Sequence, residues 1–146
     1  FVPNNTALGT SAEHGRVLVL TGPNMGGKST LLRQVCLASV LAQIGSDVPA
    51  EALSLTPADA VFVRMGARDS LIAGQSTFLV ELSETAAMLR RATPHSIVAL
   101  DELGRGTATA DGAAIAHAVL HSLCRDAGPR TLFATHYHAL AESSAQ

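Results

Sequence analysis

The sequence has no tryptophan, one tyrosine and four phenylalanines, so aromatic residues make up only 3% of its 146 positions. Grooves for nucleic acid are built from clustered Lys/Arg or from aromatic rings on which bases stack. With a net charge of −2, no basic run and so few rings, this segment carries no sign of gripping DNA or RNA itself. No apolar run reaches the roughly 18 residues that a membrane span needs. Cysteine is scarce: Cys36 and Cys124 both fall in apolar helical patterns, which predicts buried free thiols rather than a disulfide or a metal site. Lysine is scarcer still, since Lys28 stands alone and every other fixed positive charge is arginine. The opening residues Phe1-Val2-Pro3-Asn4-Asn5 lack an initiator methionine and the basic-then-apolar pattern of a signal peptide. They are expected to continue from a longer protein.

What the chain does have is apolar and patterned. Hydrophobic residues are 47% and charged residues 15%, which suits one globular α/β domain with buried strands. Residues 16–21 form a branched apolar run that reads as a strand buried on both faces of a parallel sheet. Residues 29–44 are apolar nearly all round and predict a central helix under a sheet, with Gly45 as its stop. A short strand is expected over 60–65, then a polar loop over 66–75. A helix over 77–92 follows, N-capped by Ser76, with Phe78, Leu82, Thr85/Ala86 and Leu89 on one face and Thr93-Pro94 ending it. A third strand over 96–100 runs into Asp101-Glu102, and a glycine-rich loop leads to a helix over 111–125. A fourth strand over 130–135 ends at His136, and residues 142–146 read as frayed. Strands alternating with helices imply right-handed crossovers and a mostly parallel sheet flanked by helices.

The single lysine falls in Gly22-Pro23-Asn24-Met25-Gly26-Gly27-Lys28-Ser29, a match to G-x-x-x-x-G-K-[ST] between a buried strand and a helix. That is a P-loop, and it predicts a nucleoside triphosphate with Mg²⁺. Its glycines let backbone N–H groups close around phosphate oxygens, and the following helix adds its positive dipole end. Lys28 would reach the β- and γ-phosphates, and Ser29 would offer a hydroxyl to Mg²⁺. Residues 97–102, Ile-Val-Ala-Leu-Asp-Glu, read as a Walker B strand about seventy residues later. Asp101 would hold the metal shell, and Glu102 would polarise the water that attacks the γ-phosphate. An adjacent Asp-Glu pair separates the chain from GTPases and nucleotide kinases. His136 is a candidate γ-phosphate sensor. His117 and His121 stand i,i+4 on a helix, but no third ligand is near in sequence, so a partly exposed face is expected. Ser76 reads as a helix cap.

Four segments carry a resemblance: Thr-Gly-Pro-Asn-Met-Gly-Gly-Lys-Ser-Thr (21–30), Ser-Thr-Phe-Leu-Val-Glu-Leu-Ser-Glu-Thr (76–85), Asp-Glu-Leu-Gly-Arg-Gly-Thr-Ala-Thr (101–109) and Ala-Thr-His-Tyr (134–137). In order and spacing they resemble the ATPase domain of the MutS mismatch-repair family, a P-loop NTPase of the ABC-ATPase type. Asn24-Met25 and Ser76-Thr77-Phe78 are the segments specific to that family. The resemblance implies a Mg-dependent ATPase with catalytic Glu102, Lys28 and His136. It implies nucleotide contacts from Phe1, Val2, Gly22, Pro23, Asn24, Met25, Gly26, Gly27, Lys28, Ser29 and Thr30, Phe1 stacking on adenine. Ser29 and Asp101 would serve the metal. Ser76 becomes the signature residue that acts in trans, on the nucleotide of a second MutS-family subunit, a role compatible with capping.

The resemblance further implies a heterodimer, mismatched duplex DNA bound through parts of the family not in these 146 residues, nuclear localisation and no membrane. Those parts are the mismatch-binding, connector, lever and clamp domains and a C-terminal helix-turn-helix, so residues 1–146 would be a partial ATPase domain. Residues 48–51, 55–57, 78–81 and 135–138 are similar to the eukaryotic sixth MutS homologue. Residues 2–6 and 74–76 are similar to the third, and Asn5 departs from the aspartate usual in the sixth. The alternative function is a nucleotide-dependent pairing or clamp module of a meiotic MutS-like complex without mismatch recognition.

Overall fold

The computed structural model describes residues 3–9, 14–66 and 77–143. Four strands, β1 (Val17–Leu20), β2 (Val61–Arg64), β3 (Ile97–Asp101) and β4 (Arg130–Ala134), form one sheet in the order β1-β4-β3-β2. Every pairing is parallel, so the α/β architecture expected from alternating elements is what forms.

Side chains alternate across each strand and feed two cores. Val98, Leu100 and Phe133 point to the face covered by α2 (Thr77–Arg91), α3 (Thr109–Ser122) and the short α4 (His138–Ser143). Ile97, Ala99, Leu132 and Ala134 point to the other face, where Leu32 and Cys36 of α1 (Lys28–Gln43) pack on them. Helices thus cover both faces of the sheet.

Several expectations change. The run at 16–21 reads as buried on both faces, yet β1 is half-buried throughout, because among the described residues it pairs only with β4. The helix at 29–44 is apolar nearly all round, but α1 meets the sheet on one side only. Leu37, Val40 and Ile44 are 55%, 41% and 72% exposed. Its stop is as expected: Gly45 N–H donates to Ala42 C=O and Ser46 N–H to Leu41 C=O, the paired bonds that close a helix. On α2 Thr85 of the expected face is buried and Leu89 packs half-buried against the core, but the other fully buried positions are Glu81 and Met88 rather than Phe78 and Leu82. The helix is rotated so that a carboxylate enters the core.

The helix expected over 111–125 ends at Ser122, and a π-helical turn, Leu123–Ala127, completes it before Gly128. That turn leaves Cys124 exposed, against the expectation of two buried thiols, whereas Cys36 is buried. Of the stretch expected to fray, residues 142 and 143 close α4, and 144–146 lie outside the described residues.

Candidate functional site

Register brings the chemistry-bearing residues to one edge. Leu20 pairs with Ala134, and Ala134 with Asp101, so β1, β4 and β3 end at the same level. Backbone bonds extend the alignment: Thr135 N–H donates to Leu20 C=O and Glu102 N–H to Ala134 C=O, each at 2.9 Å. The loops after these strands, carrying residues 22–27, 135–137 and 102–106, therefore leave the sheet side by side. Ligands of open parallel sheets bind at such carboxyl ends.

The loop after β1 is tight. Gly26 N–H donates to Pro23 C=O at 3.1 Å, Met25 stands at φ 66° with its side chain fully exposed, and Gly27 is left-handed at φ 86°. Asn24 and Met25 form its exposed tip. Lys28 opens α1 and folds back over the loop, its Nζ donating to Gly22 C=O at 2.8 Å and to Pro23 C=O at 3.0 Å. A helix start normally has its free N–H groups met by a capping side chain or an acid. Here Gly27 gives no side-chain cap and the first turn, including Thr30, holds no acid. Helix amides without a capping side chain, a helix dipole and an ammonium thus converge at one spot, the setting that suits an anion.

Beside that spot, Ser29 Oγ donates to Asp101 Oδ2 at 2.5 Å. The other oxygen, Asp101 Oδ1, is buried and has no hydrogen-bond partner. A hydroxyl and a carboxylate with an unused buried lone pair are hard oxygen donors of the kind Mg²⁺ takes, so these residues fit that ion.

Glu102 follows at φ 54°, a left-handed position uncommon outside glycine, and its carboxylate is paired with the Arg105 guanidinium. Leu103 is buried beneath it and pins the loop. His136 is exposed one residue past Thr135, its ring 4.0 Å from that of the buried Tyr137. A cleft of about 260 Å³ is lined by Arg64, Thr77, Glu81, Asp101, Glu102 and Arg105. A larger one, about 510 Å³, lies between β2 and α2 around Phe62, Glu84 and Arg91, and lacks this cluster.

Phe1, Val2 and Ser76 lie outside the described residues. His117 and His121 are exposed with rings 6.4 Å apart, and no group of three metal-ligating side chains occurs among the described residues. The role of Glu81 escapes sequence reasoning altogether. The residue is 9% exposed and its carboxylate accepts from Gly104 N–H at 3.3 Å, whereas an acid on an amphipathic helix reads as a solvated one.

The family model for MutS domain V matches residues 18–146. The chain belongs to this family. Domain V is the family's ATPase domain. DNA mismatch repair protein MSH6 of Arabidopsis thaliana is 62% identical over 141 residues, 97% of this chain and 11% of that protein. DNA mismatch repair protein msh3 of Botryotinia fuckeliana (strain B05.10) is 60% identical over 141 residues, 97% of this chain and 12% of its own length. Human DNA mismatch repair protein Msh6 is 55% identical over 151 residues, all of this chain and 11% of that protein. Both homologues singled out in the sequence are therefore present, with MSH6 favoured. The chain spans 11–12% of the length of these relatives.

Proposed function

We propose that this chain is the P-loop core, of the ABC-ATPase type, of a MutS-type ATPase. ATP binding and hydrolysis in it would drive a dimer in recognising mismatched DNA and signalling its repair. One observation carries the reading: the Ser29–Asp101 pair sits beside the uncapped start of α1, where Lys28 folds over the loop. The strand–loop–helix from β1 through residues 22–27 to α1 supplies the context that the glycine-lysine pattern requires.

Each residue then has a task. The amides of residues 27–30 and the Lys28 ammonium would take the β- and γ-phosphates, Lys28 exchanging its bonds to Gly22 and Pro23 for phosphate oxygens. Ser29 and Asp101 would hold Mg²⁺, which, when bound, neutralises phosphate charge. Glu102 would accept the proton of the attacking water, with Arg105 steadying its carboxylate. His136 would sense the γ-phosphate, and Phe1 and Val2 would contact the adenine. Ser76 would complete the site of a second MutS-family subunit, so the working unit is a dimer, most simply a heterodimer. Mismatched duplex DNA would be bound by domains of the longer protein, in the nucleus. Among the described residues no helix is long and apolar enough to cross a membrane. A pairing or clamp module without mismatch recognition is not favoured, since the lysine loop and Glu102 are both intact.

The test is Lys28→Ala in the full-length assembly, read by ATP binding at equilibrium. Loss of affinity of at least about tenfold is expected, and wild-type affinity would overturn the assignment.

A further inference from the structure

Burying a glutamate in a helix stripe costs free energy unless its carboxylate is met by a donor. Glu81, in the α2 stripe with Thr85 and Met88, has one: Oε1 accepts the Gly104 N–H at 3.3 Å. The other side of the same glycine is held as well, because the Tyr137 hydroxyl donates to Gly104 C=O at 3.2 Å. Both polar backbone atoms of one residue are thus gripped by side chains, one from α2 and one from the loop after β4. Gly104 itself has no room for a side chain. It stands at φ 86°, and a Cβ there would lie 2.6 Å from the carbonyl of Gly112 in α3. Burial and the nearby Glu81 charge raise the Tyr137 pKa, which keeps its hydroxyl a proton donor at neutral pH.

Gly104 is two residues past Glu102, and Tyr137 is one past His136, with the His136 and Tyr137 rings in contact. The next glycine of the loop, Gly106, packs against Phe78 in the first turn of α2. A single buried carboxylate on α2 is therefore linked, through one peptide segment and one tyrosine, to the two loops that carry the candidate base and the candidate sensor.

We infer that Glu81 is a positioning residue for hydrolysis: by holding Gly104 N–H it sets where Glu102 and, through Tyr137, His136 stand relative to the nucleotide. Its carboxylate is spent on Gly104 N–H at the wall of the cleft that Asp101 and Glu102 share, so its effect should fall on turnover rather than affinity. The inference rests on the ATPase reading above and gives a task to a residue of the 76–85 segment that the reading left without one.

The experiment compares Glu81→Ala, Glu81→Gln and Tyr137→Phe with wild type in the full-length protein in its native assembly, measuring kcat and KM for ATP and equilibrium ATP affinity. Glu81→Ala should lower kcat about tenfold with affinity held within about twofold. Glu81→Gln keeps an acceptor oxygen and should restore kcat to within about threefold of wild type. Tyr137→Phe, which removes only a hydroxyl, should lower kcat in the same direction without a change of affinity, and it decides the matter if Glu81→Ala does not fold. Wild-type kcat in both Glu81→Ala and Tyr137→Phe overturns the proposal. So does a loss of affinity parallel to the loss of kcat that Gln does not relieve, since that marks a merely structural role. Lys28→Ala runs alongside: if it abolishes ATP binding while Glu81→Ala turns over normally, only the positioning role fails. If Lys28→Ala binds ATP normally, it is the ATPase reading that fails.

Discussion

Ser29 Oγ and Asp101 Oδ2 meet at 2.5 Å although 72 residues separate them, one at the start of α1 and the other at the end of β3. The contact exists because β4 lies between β1 and β3, with Leu20, Ala134 and Asp101 in one row. It joins the two halves of the candidate site, the lysine loop and the acidic strand end. Asp101 Oδ1 remains buried and unpartnered beside it, an acceptor suited to a cation or to the water around one.

Asp101→Asn removes a charge while keeping the shape, and Ser29→Ala removes the hydroxyl. Each should weaken Mg²⁺-supported nucleotide binding at least about tenfold, roughly 1.4 kcal/mol, with a smaller effect on binding in chelator. Nucleotide titrations with and without Mg²⁺ check this. An equal loss in both conditions would show that these residues do not serve the ion.

Much of this site is legible in the sequence, for a local reason. A phosphate loop needs glycines, a lysine and a hydroxyl at fixed offsets, and a strand-end acid pair follows an apolar run, so residues 22–29 and 101–102 announce themselves. Helix orientation is less legible. In α2 the apolar residues Phe78, Leu82 and Leu89 suggest one face, but the need to meet Gly104 N–H turns Glu81 inward. In α1 an apolar surface suggests burial all round, yet only the side facing β3 and β4 is covered, as the exposed Ile44 records. Cys124 looks buried by pattern, and the π-helical turn over Leu123–Ala127 carries it outward. Such outcomes depend on tertiary partners that no local window contains.

Gly112→Ala should destabilise the protein. A Cβ at Gly112 would lie 2.3 Å from both Gly104 O and the Tyr137 hydroxyl, one of them rigid backbone. Overpacking of this kind costs about 1–3 kcal/mol. Urea unfolding should show a lower midpoint with unchanged slope, and a wild-type midpoint would mean that the α3 and 104 segments can separate freely.

Cys36 and Cys124 should differ in reactivity. Burial raises the Cys36 thiol to about 11, so at neutral pH it is protonated as well as inaccessible. Alkylation followed by peptide mapping should label Cys124 first and Cys36 only after unfolding. Because the folded-state value lies above the unfolded 9.0, the stability that Cys36 contributes is fully present below pH 9 and is lost as pH rises toward about 11. Cys36→Ala should flatten that alkaline fall, and an unchanged profile would contradict the burial.

Ser76 belongs to the proposal as a residue that acts on the partner's nucleotide. In a mixed dimer with Ser76→Ala in one subunit, hydrolysis should fall at the other subunit's site. A defect confined to the altered subunit's own site would make Ser76 a cis residue, in keeping with the N-cap reading.

The central claim is that Glu102 is the base of an ATPase. Its most direct test is Glu102→Gln in the full-length assembly, with ATP binding and steady-state hydrolysis measured on the same sample. Binding should persist while turnover falls at least about tenfold, about 1.4 kcal/mol or more of barrier. Unchanged hydrolysis at that site would contradict the account.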